Sequence, residues 1–321
     1  MAKPKVYIDG QEGTTGLQIY DRLGAREDIE LLLIDPAKRK DTEERRKLLN
    51  AADLVFLCLP DGAAVEAVSL IENENTRVID CSTAHRVAPG WVYGFPELKQ
   101  GQKEAIQAAK RVANPGCHAT GFLACVAPLV QDGIIPADYP LTCWSLTGYS
   151  GGGKKMIAEY EDPNRDPRLD SPAPYALGLS HKHLPEMQKL AGLEHPPAFL
   201  PVLGDVYKGM CTTVLLHNSL LDREVATEEI YEELALDYRG KPLVEVDFSE
   251  TAAPGRLYTS QMAGSDRLRI TVAGSWEHTL ITAQFDNLGK GASGAAVQNM
   301  NLMLGFEETK GLNLEPAWSG L

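Results

Sequence analysis

Across the first third of the chain, apolar residues come in short blocks at positions 5–9, 31–34, 54–58 and 78–81, each too short to make a helix. Little polar alternation interrupts them, so both faces of each strand are expected to be buried, as in a parallel sheet. Between the blocks the pattern becomes helical: Leu17, Ile19, Tyr20 and Leu23 come at helical spacing, and residues 42–52 and 63–71 also read as helices. Strand and helix in alternation predict an α/β fold with a Rossmann-type doubly wound parallel sheet. Beyond residue 117 the pattern differs. A dense apolar helix carrying Phe122, Leu123, Val126 and Leu129 gives way to irregular connections and strand-like runs at 141–146, 211–217, 268–273 and 280–285, with a helix near 227–238. That texture predicts a second, α+β domain with a mostly antiparallel sheet and helices on one face. A last helical run at 291–305 carries Ala295, Val297, Met300 and Met303.

A length of 321 residues suits two domains, and 44% apolar content is ample for their cores. The net charge of −13 argues against nucleic acid or an anionic membrane as partner, because both demand a basic footprint. No run reaches the ~20 apolar residues of a membrane span and no secretory signal is evident, so a cytoplasmic protein is expected. Cys58, Cys81, Cys117, Cys125, Cys143 and Cys211 lack C-x-x-C spacing, which points to reduced thiols and away from zinc or a disulfide framework.

One cysteine stands apart. In Asn114-Pro115-Gly116-Cys117 the Pro-Gly pair makes a turn that cannot be helical, so the following helix begins near Cys117. Free N–H groups at that end favour a thiolate and can receive an oxyanion formed beside it. A buried structural role is the commoner fate of a free cysteine, so its neighbours must decide. Gly10-x-x-Gly13-Thr14-Thr15-Gly16 directly follows the first strand and opens the first helix, where a pyrophosphate would be held; as a bare pattern it is also compatible with a plain turn. After the second strand, Asp35 sits near the usual ribose contact, yet Lys38, Arg39 and Lys40 follow at once. Three cations in so acidic a chain suit a 2′-phosphate, so NADP is expected over NAD, with a solvated charge cluster as the alternative. Ser82, Thr83 and Arg86 follow the fourth strand and offer a hydroxyl and a guanidinium for an acyl phosphate. Ser150 to Lys155, with Lys154, reads as a glycine-rich anion site or a flexible surface loop. His181 and His183 flank a helix start marked by Pro185, and histidine titrates near neutrality as a catalytic base must. No Cys/His cluster with ligand spacing accompanies them, so no metal is expected. If extended, the two rings point to opposite sides of the chain. His183, nearer the fixed helix, is then the preferred base, and His181 is assigned to the substrate.

The run Val112-Ala-Asn114-Pro-Gly-Cys117-His-Ala-Thr-Gly121, closing at Pro128, resembles the active-site signature of N-acetyl-gamma-glutamyl-phosphate reductases. His118 stands where that family usually has Phe or Tyr. The resemblance extends to residues 10–16, 80–86, 93–98, 148–154, 181–186 and 286–294, nearly the whole chain, and the length is similar to the shorter of the family's two forms. It implies NADPH-dependent reduction of N-acetyl-L-glutamyl 5-phosphate to the 5-semialdehyde and phosphate, in arginine biosynthesis, through a thioester on Cys117 with His183 or His181 handling protons. It further implies cofactor contacts from Gly10, Gly13, Thr14, Thr15, Gly16, Lys38, Arg39, Lys40, Pro60, Gly151, Asn287 and Gly291, and contacts to the small acyl-phosphate substrate from Ser82, Arg86, Asn114, Ser150 and Lys154. The expected domains are residues 1–116 with 287–321 for NADP, and 117–286 for catalysis and oligomerisation as a homodimer or homotetramer. Two rivals remain: a related acyl-phosphate reductase or semialdehyde dehydrogenase, of which the aspartate enzymes usually carry Pro-Asn-Cys, and a non-catalytic dinucleotide sensor, in which nucleophile and histidines would have no use.

Overall fold

Each apolar block of the first third becomes a strand. In the computed structural model, which describes residues 2–248 and 255–317, β1 (Lys5–Asp9), β2 (Glu30–Leu32), β3 (Leu54–Leu57) and β4 (Arg77–Asp80) alternate with α1 (Thr14–Gly24), α2 (Thr42–Ala51) and α3 (Asp61–Ser69). The short β5 (Val92–Tyr93), α4 (Gln102–Ala108) and β6 (Arg111–Ala113) complete a six-stranded sheet in the order β2-β1-β3-β4-β6-β5. All its pairings are parallel. Val6, Ile8, Leu54 and Phe56 pack on one face with Ile19 and Leu23 of α1. Tyr7, Val55, Leu57 and Val78 pack on the other with Leu49 of α2 and Ala64 and Ala67 of α3. Ala296, Val297, Met300 and Met303 of the returning helix Gly294–Leu304 cover the first face. The chain goes from β1 outward to β2 and then crosses to β3 on the far side of β1, so the switch point, where such sheets bind ligands, lies between β1 and β3.

The second unit starts with α5 (Cys117–Gln131), followed by β7 (Thr142–Gly148), α6 (Gly153–Glu161), β8 (Ala173–Pro174), α7 (Leu184–Ala191), β9 (Ala198–Gly204), β10 (Met210–His217), α8 (Thr227–Asp237), β11 (Val244–Phe248), β12 (Leu268–Gly274) and β13 (His278–Phe285). Its sheet runs β11-β12-β13-β10-β7-β9-β8 and is antiparallel except at β11/β12 and β7/β9. Helix α5 is buried from His118 to Leu129. Gly121 permits that burial, since a Cβ there would lie 2.6 Å from Thr212 Oγ1 and 2.8 Å from the Phe285 ring. Pro128 inside the helix removes the N–H that would bond Ala124. The Tyr238 hydroxyl takes its place, donating to the Ala124 carbonyl at 2.9 Å.

The two units divide differently from the expected boundaries. Among the described residues, those up to Pro96, Gly101–Pro115 and Ala292–Leu312 form one; Glu97–Gln100, those between Gly116 and Gly291, and residues 313–317 form the other. Glu97 joins the second because both its carboxylate oxygens take Lys290 Nζ at 2.8 Å, with both residues buried. Asn313 joins it because its N–H donates to Asp266 Oδ2 at 2.8 Å while its carbonyl accepts the Asp266 N–H at 2.6 Å. Neither long-range pairing leaves a periodic signal in the sequence.

Candidate active site

Cys117 is the first residue of α5, as the Pro-Gly turn dictates, and is partly exposed. The cap position is Gly116 (φ −78°, ψ 142°), which brings no side-chain cap. Its N–H donates to Glu186 Oε2 at 3.2 Å, and its carbonyl accepts the Thr120 hydroxyl at 3.1 Å. Gly291 passes Cys117 as bare backbone, since a Cβ there would lie 3.0 Å from Cys117 Cβ. The other cysteines are different. Burial holds the Cys125 and Cys143 thiols high and pushes Cys211 up to about 11, while a hydrogen bond with Cys81, reinforced by burial, raises Cys58.

His118 points into a ring cluster. Its centroid lies 5.4 Å from His181, 5.6 Å from His183 and 5.2 Å from Phe199, while His181 and His183 are 4.6 Å apart. Its Nδ1 lies 2.8 Å from Ser145 Oγ and its Nε2 2.8 Å from the Tyr175 hydroxyl. Burial, followed by the charges of His181 and Lys182, pushes its pKa down to about 3, so the ring is neutral. The expectation that His181 and His183 point to opposite sides is corrected here. The chain is not extended: His183 caps α7 with helical dihedrals (φ −86°, ψ −11°), its N–H donates to His181 Nδ1 at 3.2 Å, and both rings gather against His118. Glu186, on the same helix, holds the turn before Cys117; it sits in the motif read from the sequence but was not singled out, and Tyr175 and Ser145 carry no spacing signal at all.

At the carboxyl ends of β1 and β3, Gly10 has φ +84°, and a Cβ on it would lie 2.4 Å from the Cys58 carbonyl. A Cβ on Gly16 would lie 2.5 Å from the Gly10 carbonyl, so the turn closes only without side chains. Gly13 caps α1 with no side-chain hydrogen bond, and the buried Thr14 Oγ1 has no partner among the described residues. Bare backbone, an open helix start and an unsatisfied hydroxyl fit a dinucleotide pyrophosphate. Thr15 is half-buried in the first turn, and Pro60, exposed, caps α3. Lys38, Arg39 and Lys40 are exposed, and Arg39 forms an ion pair with Glu12 of the glycine turn.

The expected substrate groups are more heavily engaged. Ser82 donates its hydroxyl to Asp80 at 2.8 Å, and the same carboxylate takes His85 Nδ1 at 2.6 Å. Arg86 Nε donates to the Asn114 carbonyl at 3.0 Å, and the Asn114 amide donates to the Ala292 carbonyl at 3.0 Å. In the second unit Asn287 donates to Ser150 Oγ at 3.0 Å and accepts the Gly209 N–H at 2.9 Å. A Cβ on Gly151 would meet that Asn287 amide at 3.3 Å. The Ser150 to Lys155 stretch is ordered as a 3-10 turn running into α6, with Lys154 exposed in its first turn. Among the described residues no three His, Cys, Asp or Glu side chains converge to hold a metal ion.

A parallel sheet followed by an α+β unit is the fold that the chain shares with the semialdehyde dehydrogenases. Residues 15–108 match the family model described as semialdehyde dehydrogenase, NAD binding domain, and residues 117–287 match that of the semialdehyde dehydrogenase dimerisation domain. Among solved structures, aspartate semialdehyde dehydrogenase II from Vibrio cholerae complexed with ASA aligns with a TM-score of 0.71 at 16% identity, covering 95% of this chain and 99% of that one. The aspartate semialdehyde dehydrogenase with NADP from Candida albicans gives 0.66 at 16% identity, over 94% of this chain and 99% of that one. Those likenesses concern the fold. In sequence the chain is 47% identical to N-acetyl-gamma-glutamyl-phosphate reductase 2 of Nostoc sp., over 97% of this chain and 100% of that protein, and 48% identical to the N-acetyl-gamma-glutamyl-phosphate reductase of Brucella ovis, over 94% and 99%. The chain belongs to the N-acetyl-gamma-glutamyl-phosphate reductase family. No helix among its described residues is long and apolar enough to cross a membrane.

Proposed function

We propose that this protein reduces N-acetyl-L-glutamyl 5-phosphate to N-acetyl-L-glutamate 5-semialdehyde and phosphate, using NADPH, as a step of arginine biosynthesis. The observation that carries the reading is the half-exposed Cys117 at the start of α5, in a chain 47% identical to a named reductase. Cys117 Sγ attacks the acyl carbon, the bond from that carbon to the phosphate oxygen breaks, and phosphate departs to leave a thioester. The N–H groups of the first turn of α5 receive the oxyanion. Bound NADPH supplies the hydride that reduces the thioester. The resulting thiohemiacetal releases aldehyde as the carbon–sulfur bond breaks, returning the thiolate. His183 handles the protons: it sits on the rigid start of α7, whose Glu186 also holds the Gly116 N–H, so base and nucleophile share one brace. His181 turns to the substrate.

For the cofactor, Gly10, Gly13 and Gly16 leave room for the pyrophosphate, Thr14 and Thr15 offer hydroxyls, and Lys38, Arg39 and Lys40 supply charge for a 2′-phosphate, with Pro60, Gly151, Asn287 and Gly291 shaping the remainder. Arg86 and Lys154 are the cations for the acyl phosphate, while Ser82, Asn114 and Ser150 brace the segments that carry them. The assembly is a homodimer or homotetramer, in the cytoplasm. An assay of NADPH oxidation against a panel of acyl phosphates tests the whole reading: N-acetylglutamyl phosphate should give the highest kcat/KM. Preference for aspartyl phosphate, or a lack of turnover with every member, would reject it.

A further inference from the structure

We infer that the Tyr175 hydroxyl is a hydrogen-bond donor aimed out of the protein toward the Cys117 sulfur, and that His118 is the positioning residue which fixes that direction. The inference rests on the reading of Cys117 as the nucleophile. Four side chains of the second unit form one hydrogen-bonded chain: Thr212 Oγ1 to Ser145 Oγ at 2.8 Å, Ser145 Oγ to His118 Nδ1 at 2.8 Å, and His118 Nε2 to the Tyr175 hydroxyl at 2.8 Å. Thr212 and Ser145 face each other across β10 and β7, and His118 follows Cys117 on α5, so the far end of the chain is fixed by the sheet.

Counting hydrogens gives the direction. Each of the four neutral groups carries one donor hydrogen, and the three bonds use three of them. A neutral imidazole donates on one side and accepts on the other, so the one spare hydrogen lies on Tyr175 if His118 donates to it, and on Thr212 or Ser145 if His118 instead accepts from Tyr175. On either Thr212 or Ser145 it would sit on a residue with 0% exposure whose hydroxyl has no partner outside this chain among the described residues. Such a buried, unmet donor is penalised. The alternative places it on the half-buried Tyr175. His118 then carries its proton on Nε2 and donates to the Tyr175 oxygen, leaving the phenolic hydrogen pointing away from the chain. Two further facts fit. Burial, and after it the neighbouring Cys117, hold the Tyr175 hydroxyl well above its ordinary range, so it stays a donor, and Cys117 lies close enough to act on it. The other titratable groups against this cluster are His181, Lys182 and His183 before α7 and Glu186 on it.

The experiment is the pH dependence of iodoacetamide alkylation of Cys117, read by mass spectrometry in the full protein, with thermal melting to verify folding. Loss of a hydrogen bond to a charged group should move the alkylation midpoint of Tyr175→Phe upward by roughly one to two pH units. His118→Phe should move it in the same direction by less, and should add nothing in a Tyr175→Phe background, because it acts through that hydroxyl. An unmoved midpoint in folded Tyr175→Phe overturns the inference, as does a His118→Phe shift of full size in the double variant. Should Tyr175→Phe or its double variant not fold, Tyr175→Trp replaces it with the same expectation. A fully active Cys117→Ser protein would instead reject the nucleophile itself, which is a separable result.

Discussion

Two helices of this protein start in the same way and are surrounded in opposite ways. Both α1 and α5 are capped by a glycine in extended conformation, Gly13 and Gly116, with no side-chain cap. Around Gly13 the fold removes side chains: Gly10 and Gly16 are bare, Thr14 Oγ1 is left unmet, and the nearby cations are exposed. Around Gly116 it adds them: Glu186 takes the N–H, Thr120 bonds the carbonyl, and His118 is bonded at both ring nitrogens. A large anion needs room and backbone donors, and its own oxygens complete the site. Bond-making on a small acyl group needs its partners in place beforehand, because a displacement of about an ångström can cost ~10²-fold in rate.

The comparison breaks first at Cys117. Cys117→Ser should lower reduction by ~10⁴-fold or more while NADPH binding, followed by fluorescence titration, is retained. Iodoacetamide should label Cys117 before any other cysteine, since burial holds the Cys125, Cys143 and Cys211 thiols protonated. Fastest labelling at Cys211 together with an active serine variant would remove the packed site from the chemistry.

Next in size are the histidines. His183→Asn should reduce kcat by ~10²–10⁴ and flatten the acidic limb of the kcat profile, whereas His181→Asn should act mainly on KM. A lost limb in His181→Asn with a normal one in His183→Asn would exchange the roles.

These assignments show what the sequence made legible. The strands β1, β3 and β4 and the start of α5 were readable because buried strands are apolar runs and a Pro-Gly turn has one helical outcome. The glycine spacing was readable too, because backbone contact demands residues without Cβ. What escaped was whatever depends on partners far apart in the chain: Lys290 with Glu97, Asn313 with Asp266, Ser145 with Thr212. Short edge strands such as β5 and β8 hold two residues each, too few to show a period. The opposed histidine rings were misjudged because an i, i+2 rule for strands was applied to a residue with helical dihedrals.

The open helix start is sharpened by two alanines. In Gly16→Ala the new Cβ meets the Gly10 carbonyl at 2.5 Å, so the turn must open and the NADPH Kd should rise by about 10- to 100-fold, which corresponds to ~1.4–2.8 kcal/mol. In Gly13→Ala the nearest atom is 3.5 Å away and φ is −68°, so the change should be slight. Cys117 alkylation should be unaffected in both. Equal losses in the two variants would show that the site tolerates no side chain for reasons other than the contact with Gly10.

The smallest effect is on stability and separates the packed site from the open one by pH. His118 is held at about 3 in the folded protein against 6.5 when free. Above pH 6.5 the ring is neutral in both states and contributes no pH dependence. As pH falls toward 3 the unfolded chain takes up a proton that the folded one refuses, so stability declines by up to ~1.4 kcal/mol per pH unit from this residue. Replacing it by the family's usual aromatic, His118→Phe, removes that term while leaving Ser145 and Tyr175 short of a partner, a constant loss of about 1–3 kcal/mol. Urea midpoints measured from pH 7.5 to 4.5 should therefore show the variant less stable at neutral pH but with a shallower decline on acidification. Parallel declines in the two proteins would mean that the ring gains its proton in the folded state as readily as in the unfolded one, and that the hydrogen-bonded chain through His118 does not have the fixed direction on which the assignment of Tyr175 depends.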